Sequence, residues 1–129
     1  MAKKILLFGA GKSATVLINY LQNLVQQHNW HFTVADSNKV LLNEKVQESN
    51  NTSTIFLNIE NEIERKKIIE KADVVISMMP PHLHFLIAQD CLSYNKHLLT
   101  ASYVDEKIKA LASTIKEKKL LFLCEMGLD

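Results

Sequence analysis

A strand-like apolar run, Lys4-Ile5-Leu6-Leu7-Phe8, leads directly into Gly9-Ala10-Gly11-Lys12-Ser13-Ala14 and from there into a stretch of helical periodicity. A strand, a glycine turn and a helix in that order leave few folds open. Gly9 permits a tight turn, Gly11 lets the backbone approach a pyrophosphate, and the small Ala14 lets helix and sheet pack closely. Backbone N–H groups freed at the start of the helix, around Lys12 and Ser13, then meet the phosphates.

The first helix is expected from Lys12 to Gln27, with Val16, Leu17, Tyr20, Leu21, Leu24 and Val25 at helical spacing, and His31 to Ala35 follow as the second strand. Asp36 then stands where a ribose-binding acid belongs. It would accept hydrogen bonds from both ribose hydroxyls of NAD, and its charge would repel the extra phosphate of NADP. No Arg follows it, and Lys39 is the basic residue within reach, so NAD is the expected cofactor and NADP stays open. The competing reading is that Asp36 simply caps the next helix.

Strand and helix signals alternate along the rest of the chain, with no low-complexity linker and no solenoid repeat. A helix is expected at 38–47, a third strand from Thr54 to Ile59, and a charged helix from Glu62 to Lys71 whose apolar members are Ile63, Ile68 and Ile69. The second half repeats the pattern: strand Asp73–Ser77, helix His82–Tyr94, strand His97–Thr100, helix Asp105–Lys118 and strand Leu120–Cys124. Near-continuous apolar strands fit a parallel sheet buried on both faces. The expected fold is therefore α/β, a doubly wound parallel sheet of the Rossmann type with six strands in the order 3-2-1-4-5-6. A ligand is expected across the carboxyl ends of strands 1 and 4.

Composition narrows the classes of partner. The 129 residues make one domain, long enough for a core and short for a complete dehydrogenase. A net charge of +1 with interspersed signs argues against a nucleic-acid surface, and Lys116, Lys118 and Lys119 read as a solvated helix end. No apolar run approaches the ~20 residues that cross a bilayer. Cys91 and Cys124 read as buried, reduced thiols, and no secretory signal is visible, so a cytoplasmic protein is expected. His82 and His84 are spaced as on a strand at an expected helix start, with no Cys or carboxylate cluster, so no metal site is expected.

At the end of strand 4 stands Ser77-Met78-Met79-Pro80-Pro81-His82-Leu83-His84, where the nicotinamide half of a dinucleotide would leave the switch point. Two prolines stiffen that turn. On the residues alone they either start the helix or touch the cofactor, and Met78 and Met79 fill space. Together with Thr100-Ala101-Ser102-Tyr103 and Glu125-Met126-Gly127-Leu128-Asp129, the segment resembles the saccharopine dehydrogenase family, in particular its glutamate-forming branch. That family carries a Gly-x-Gly start, a Leu/Ile-Pro-x-x-x-His turn, a Ser/Ala-Ser-Tyr motif and a Glu-x-Gly-Leu-Asp-Pro-Gly run. Met79 stands where an aliphatic is usual, Pro81 where an aromatic is frequent, and His84 matches the family histidine.

The resemblance implies an oxidoreductase that interconverts saccharopine with glutamate and 2-aminoadipate semialdehyde by hydride transfer to or from NAD(P) and hydrolysis of an imine. It assigns residues 1–129 to the cofactor domain and places a substrate-binding domain, which also makes a homodimer, beyond Asp129. It also makes Met79 and Pro80 cofactor contacts, joining Gly9, Gly11, Lys12, Ser13, Ala14 and Asp36. Ser102, Tyr103 and Asp129 become contacts to an amino-acid substrate, with Tyr103 and Asp129 as candidates for the acid and base. Without it, Ser102 and Tyr103 read as an ordinary loop before a helix capped by Asp105. Two rival readings are a related reductase of polyamine- or opine-type secondary amines and a non-catalytic nucleotide-sensing module like the regulatory domains of potassium transport systems.

Overall fold

The computed structural model describes residues 3–100, 110–118 and 122–123. Among them the strands are β1 (Lys4–Phe8), β2 (His31–Asp36), β3 (Thr52–Phe56), β4 (Val74–Ser77), β5 (His97–Thr100) and β6 (Phe122–Leu123). The helices are α1 (Thr15–His28), α2 (Lys39–Lys45), α3 (Glu62–Lys71), α4 (Pro81–Ser93) and α5 (Ala112–Glu117). All pairings are parallel, and the sheet order is β3-β2-β1-β4-β5-β6, as the alternation of signals leads one to expect. Residues 105–109 of the expected last helix, and Leu120, Leu121 and Cys124 of the last strand, lie outside the described residues.

The central strands β1 and β4 are largely apolar because both faces of the sheet are covered there, whereas β3 at the edge reads Thr-Ser-Thr-Ile-Phe. Leu7, Phe32, Val34 and Ile76 face α1 and α2, where they pack with Ala14, Ile18, Leu21, Val25 and Leu42. Leu6, Phe8, Val75 and Leu98 face the opposite way, against Ile69, Ile87, Ala88 and Cys91 of α3 and α4. Phe8, Leu7 and Phe32 have no exposed surface, and each such side chain stabilises the fold by about 1.5–3 kcal/mol. Register holds the two halves together: β1 pairs Leu7 with Val34 on one side and with Ile76 on the other.

Three local features differ from the sequence expectation. The first helix opens with a single 3-10 turn over Lys12–Ala14 and becomes α-helical only at Thr15. Its buried stripe is Ile18, Leu21 and Val25, whereas Val16 and Tyr20, expected on the apolar face, are 80% and 61% exposed. Ala14 sets this phase, because it is buried against the sheet and Ile18, Leu21 and Val25 follow it at helical spacing. On α3, Ile63 is 79% exposed while Arg65 is buried.

The third difference is β3, which runs two residues earlier at its start than expected and ends at Phe56 rather than Ile59. The Leu57 N–H donates to the Asp36 carbonyl at 3.0 Å, and there the chain leaves the ladder. Asn58 Oδ1 accepts the Glu60 N–H, and Asn61 Oδ1 accepts the Glu64 N–H to cap α3. Leu57 and Ile59 are buried nonetheless, so hydrophobicity alone extended the expected strand into a turn.

Candidate dinucleotide site

The site forms at the carboxyl ends of β1, β2 and β4, where the glycine turn, the Asp36 turn and the start of α4 come together. Gly9 has φ +106, a conformation that costs an L side chain steric strain, and its N–H donates to the Ala35 carbonyl at 2.9 Å. A Cβ on Gly9 would stand 3.2 Å from Met79 Sδ and 3.3 Å from the Met78 carbonyl carbon and oxygen. The glycine turn therefore lies directly against the β4–α4 corner. The Met78 N–H, donating to the Phe8 carbonyl at 2.9 Å, fixes that contact.

Gly11 has the opposite surroundings. A Cβ there would meet nothing within 4 Å. Its φ of -72 and ψ of -173 are open to any residue, so neither packing nor conformation demands glycine at this position. Gly11 stands at the N-cap of the Lys12–Ala14 turn, with its backbone open to close approach from solvent. Ala10 and Ala14 are fully buried beneath the turn, while Gly11, Lys12 and Ser13 face solvent.

Asp36 is half-buried and its carboxylate already serves the backbone: Oδ2 accepts the Ala10 N–H at 2.6 Å, and Oδ1 accepts the Asn38 N–H at 2.7 Å. The acid thus ties the glycine turn to the β2–α2 turn. Each carboxylate oxygen keeps a further lone pair for another donor. The capping alternative falls to Asn38, whose Oδ1 accepts the Leu41 N–H at 3.1 Å at the start of α2. Lys39 is exposed beside it, and Lys45 Nζ donates to Thr15 Oγ1 at 2.8 Å, bridging α2 to the first residue of α1.

On the β4 side, Ser77 is fully buried, Met79 is half-buried and Pro80 is exposed at the cap of α4. The Pro80 carbonyl accepts the N–H groups of Leu83 and His84, so the proline starts the helix and stands at the site edge together. His84 is buried at 3% and His82 exposed. Gly9, Gly11, Lys12, Ser13, Ala14, Asp36, Met79 and Pro80 are thus gathered at one edge of the sheet. Ser102, Tyr103 and Asp129 lie outside the described residues.

A charged pair escaped the sequence reading altogether. Arg65 Nε of α3 donates to Asp90 Oδ2 of α4, with side chains 6% and 4% exposed, and Arg65 Nη1 donates to the Ile59 carbonyl at 2.8 Å. The available signal was the stripe Arg65, Ile69, Ala72, in which a cation occupies a core position. A cavity of about 390 Å³ lies elsewhere, at the amino-terminal ends of β1 and β2, between Lys4, His31, Thr33, Ile55, Ile68 and Lys71. It is at the wrong edge of the sheet for the glycine turn. Among the described residues no helix is long and apolar enough to cross a membrane, and no group of three or more His, Cys, Asp or Glu side chains is arranged to hold a metal ion.

Comparison with known proteins gives a consistent result. The family model described as the saccharopine dehydrogenase NADP binding domain matches residues 5–123. The alpha-aminoadipic semialdehyde synthase of Arabidopsis thaliana is 29% identical over 148 residues, covering 100% of this chain and 14% of that protein. The Schizosaccharomyces pombe saccharopine dehydrogenase [NADP(+), L-glutamate-forming] is 26% identical over 125 residues, covering 97% of this chain and 27% of that protein. Among solved structures, the apo saccharopine dehydrogenase (L-Glu forming) of Saccharomyces cerevisiae superposes with a TM-score of 0.82 at 23% identity, over 99% of this chain and 28% of that one, a likeness of fold. The chain therefore spans about a seventh to a quarter of the length of these relatives.

Proposed function

The chain belongs to the family of saccharopine dehydrogenase NADP-binding domains, and we propose that it holds the dinucleotide for an oxidoreductase interconverting saccharopine with glutamate and 2-aminoadipate semialdehyde. The observation that carries this reading is Gly11, a glycine that neither packing nor backbone conformation requires, at the carboxyl end of β1 beside Asp36. The bound nicotinamide would accept or return a hydride at the carbon bearing the secondary amine. In the cleavage direction the amine becomes an imine, which water opens to the semialdehyde and the free amine of glutamate. The chain's share is to seat the pyrophosphate on the Gly9–Ala14 turn, the ribose at Asp36 and the nicotinamide half beside Met79 and Pro80. The family likeness supports Ser102, Tyr103 and Asp129 as substrate contacts, with Tyr103 and Asp129 as acid and base, and supports a homodimer formed outside residues 1–129.

Two observations bear on the cofactor. The family's description and the fission yeast relative carry NADP in their names. In this chain the Asp36 carboxylate, at the end of β2, accepts two backbone N–H groups, and its charge at that position supports a ribose over a 2′-phosphate. The family favours NADP(H), and Asp36 is the observation that supports NAD(H) instead. Calorimetric titration of the wild-type chain with NADH and NADPH separates them. If Asp36 governs the choice, NADH binds at least about tenfold more tightly, a difference of ~1.4 kcal/mol, and Gly11→Val is expected to abolish binding of both. Tighter NADPH assigns the site to NADP, and equal affinities show that Asp36 does not discriminate between the two. Binding by neither at millimolar concentration overturns the dinucleotide reading for this chain.

A further inference from the structure

The Arg65–Asp90 pair plays no part in the site as described, yet both charges are almost wholly buried. Taking two ions out of water is costly, and apolar side chains of similar volume join helices at least as well. What an apolar pair cannot do is supply the second bond that Arg65 makes, from Nη1 to the Ile59 carbonyl. That carbonyl belongs to the β3–α3 turn, whose Leu57 N–H donates to the Asp36 carbonyl, while the Asp36 carboxylate holds the Ala10 N–H of the glycine turn. A continuous path thus runs from the buried guanidinium through the 57–61 turn to the acid at the ribose position. Asp36 lies on the β2 side of the switch point, so the adenosine half of a dinucleotide lies next to that turn.

We propose that Arg65 is a positioning residue for the adenosine half of the cofactor, holding the β3–α3 turn at the height that Asp36 needs while Asp90 fixes the guanidinium. The proposal rests on the dinucleotide reading above. Its test compares the wild-type chain with Arg65→Lys and with the double variant Arg65→Met/Asp90→Leu, using ADP and inorganic pyrophosphate as probes, alongside thermal melts. The double variant replaces the ion pair by an apolar contact. It is expected to melt cooperatively near the wild-type temperature, to bind ADP about tenfold more weakly and to bind pyrophosphate within twofold of wild type. Arg65→Lys keeps a charge beside Asp90 but lacks the fork that also reaches Ile59, and about a threefold loss for ADP is expected. Should the double variant fail to fold, the Arg65→Lys affinities decide. ADP affinity within twofold of wild type in the folded variants overturns the proposal alone, as does an equal loss for ADP and pyrophosphate. A wild-type chain that binds neither probe overturns the dinucleotide reading and this one with it.

Discussion

Gly9 and Gly11 stand two residues apart and are glycine for different physical reasons. At Gly9 a methyl group meets Met79 and Met78 at 3.2–3.3 Å with φ at +106, so Gly9→Ala is expected to cost about 1–3 kcal/mol in a urea melt. At Gly11 there is open space and an ordinary φ, so Gly11→Ala is expected to stay within about 0.5 kcal/mol of wild type while weakening dinucleotide binding. Equal losses of stability at both would show that Gly11 serves the fold. A second residue-scale expectation concerns Cys91, whose thiol is pushed up by burial, with the Asp90 charge adding to the effect. In a Cys124→Ser background its alkylation at pH 8 should follow unfolding and not reagent access, because thiolate is the reactive form. The sign for stability follows. Below the ordinary thiol range Cys91 is neutral in both states, and above ~8.5 the unfolded chain loses its proton while the folded chain keeps it, so stability falls as pH climbs past that value. Gly9 was legible in the sequence because a tight turn with positive φ dictates it, and Gly11 and Asp36 because their spacing from the first strand follows a known pattern. Arg65 was not, because a buried cation depends on a partner on another helix.

Elements were legible where one local signal dominates and misplaced where two compete. The α3 start follows from Asn61, which accepts the Glu64 N–H, and the α4 start from Pro80, a stiff residue whose carbonyl begins the helix. At β3 the apolar Leu57 and Ile59 suggested strand, but the Asn58 turn takes the chain off the ladder and buries both side chains from a loop. On α1 the apolar residues surround much of the helix, so periodicity alone gave a face that included Val16 and Tyr20. Packing against the sheet selected Ile18, Leu21 and Val25 instead. The two phases make different demands on mutation. Ile18→Ala is expected to cost about 2–5 kcal/mol through the cavity it leaves, whereas Val16→Lys should stay within about 0.5 kcal/mol in chemical denaturation. A large loss for Val16→Lys would mean that the exposed face of α1 is covered in the folded protein.

Across the whole molecule, the candidate site lies on the seam between two halves of one sheet. β1 to β3 with α1 and α2 carry the glycine turn and Asp36, and β4 onward with α4 carries Met78 to Pro80. The halves meet at the site through the β1–β4 ladder, the Met78 N–H on the Phe8 carbonyl and the contact of Gly9 with Met78 and Met79. This much of the architecture was readable because strand order follows from alternation and from the hand of parallel crossovers. The substrate contacts proposed at Ser102, Tyr103 and Asp129 rest on resemblance alone, since no local sequence pattern marks those residues and they lie outside the described ones. A ligand seated across the seam touches both halves, which only the folded chain brings together, so it binds the native state and not the unfolded one. At a hundred times its dissociation constant such a ligand stabilises the fold by about 2.7 kcal/mol, equivalent for a chain of this size to a rise in Tm of about 10 °C. Thermal melts with NADH at that ratio should show this rise in the wild type. In Gly11→Val, where the same seam is intact but the pyrophosphate is excluded, the melting temperature should not respond to NADH. A rise retained in Gly11→Val would place the nucleotide somewhere other than the glycine turn, because linkage records binding to the native state wherever the site is.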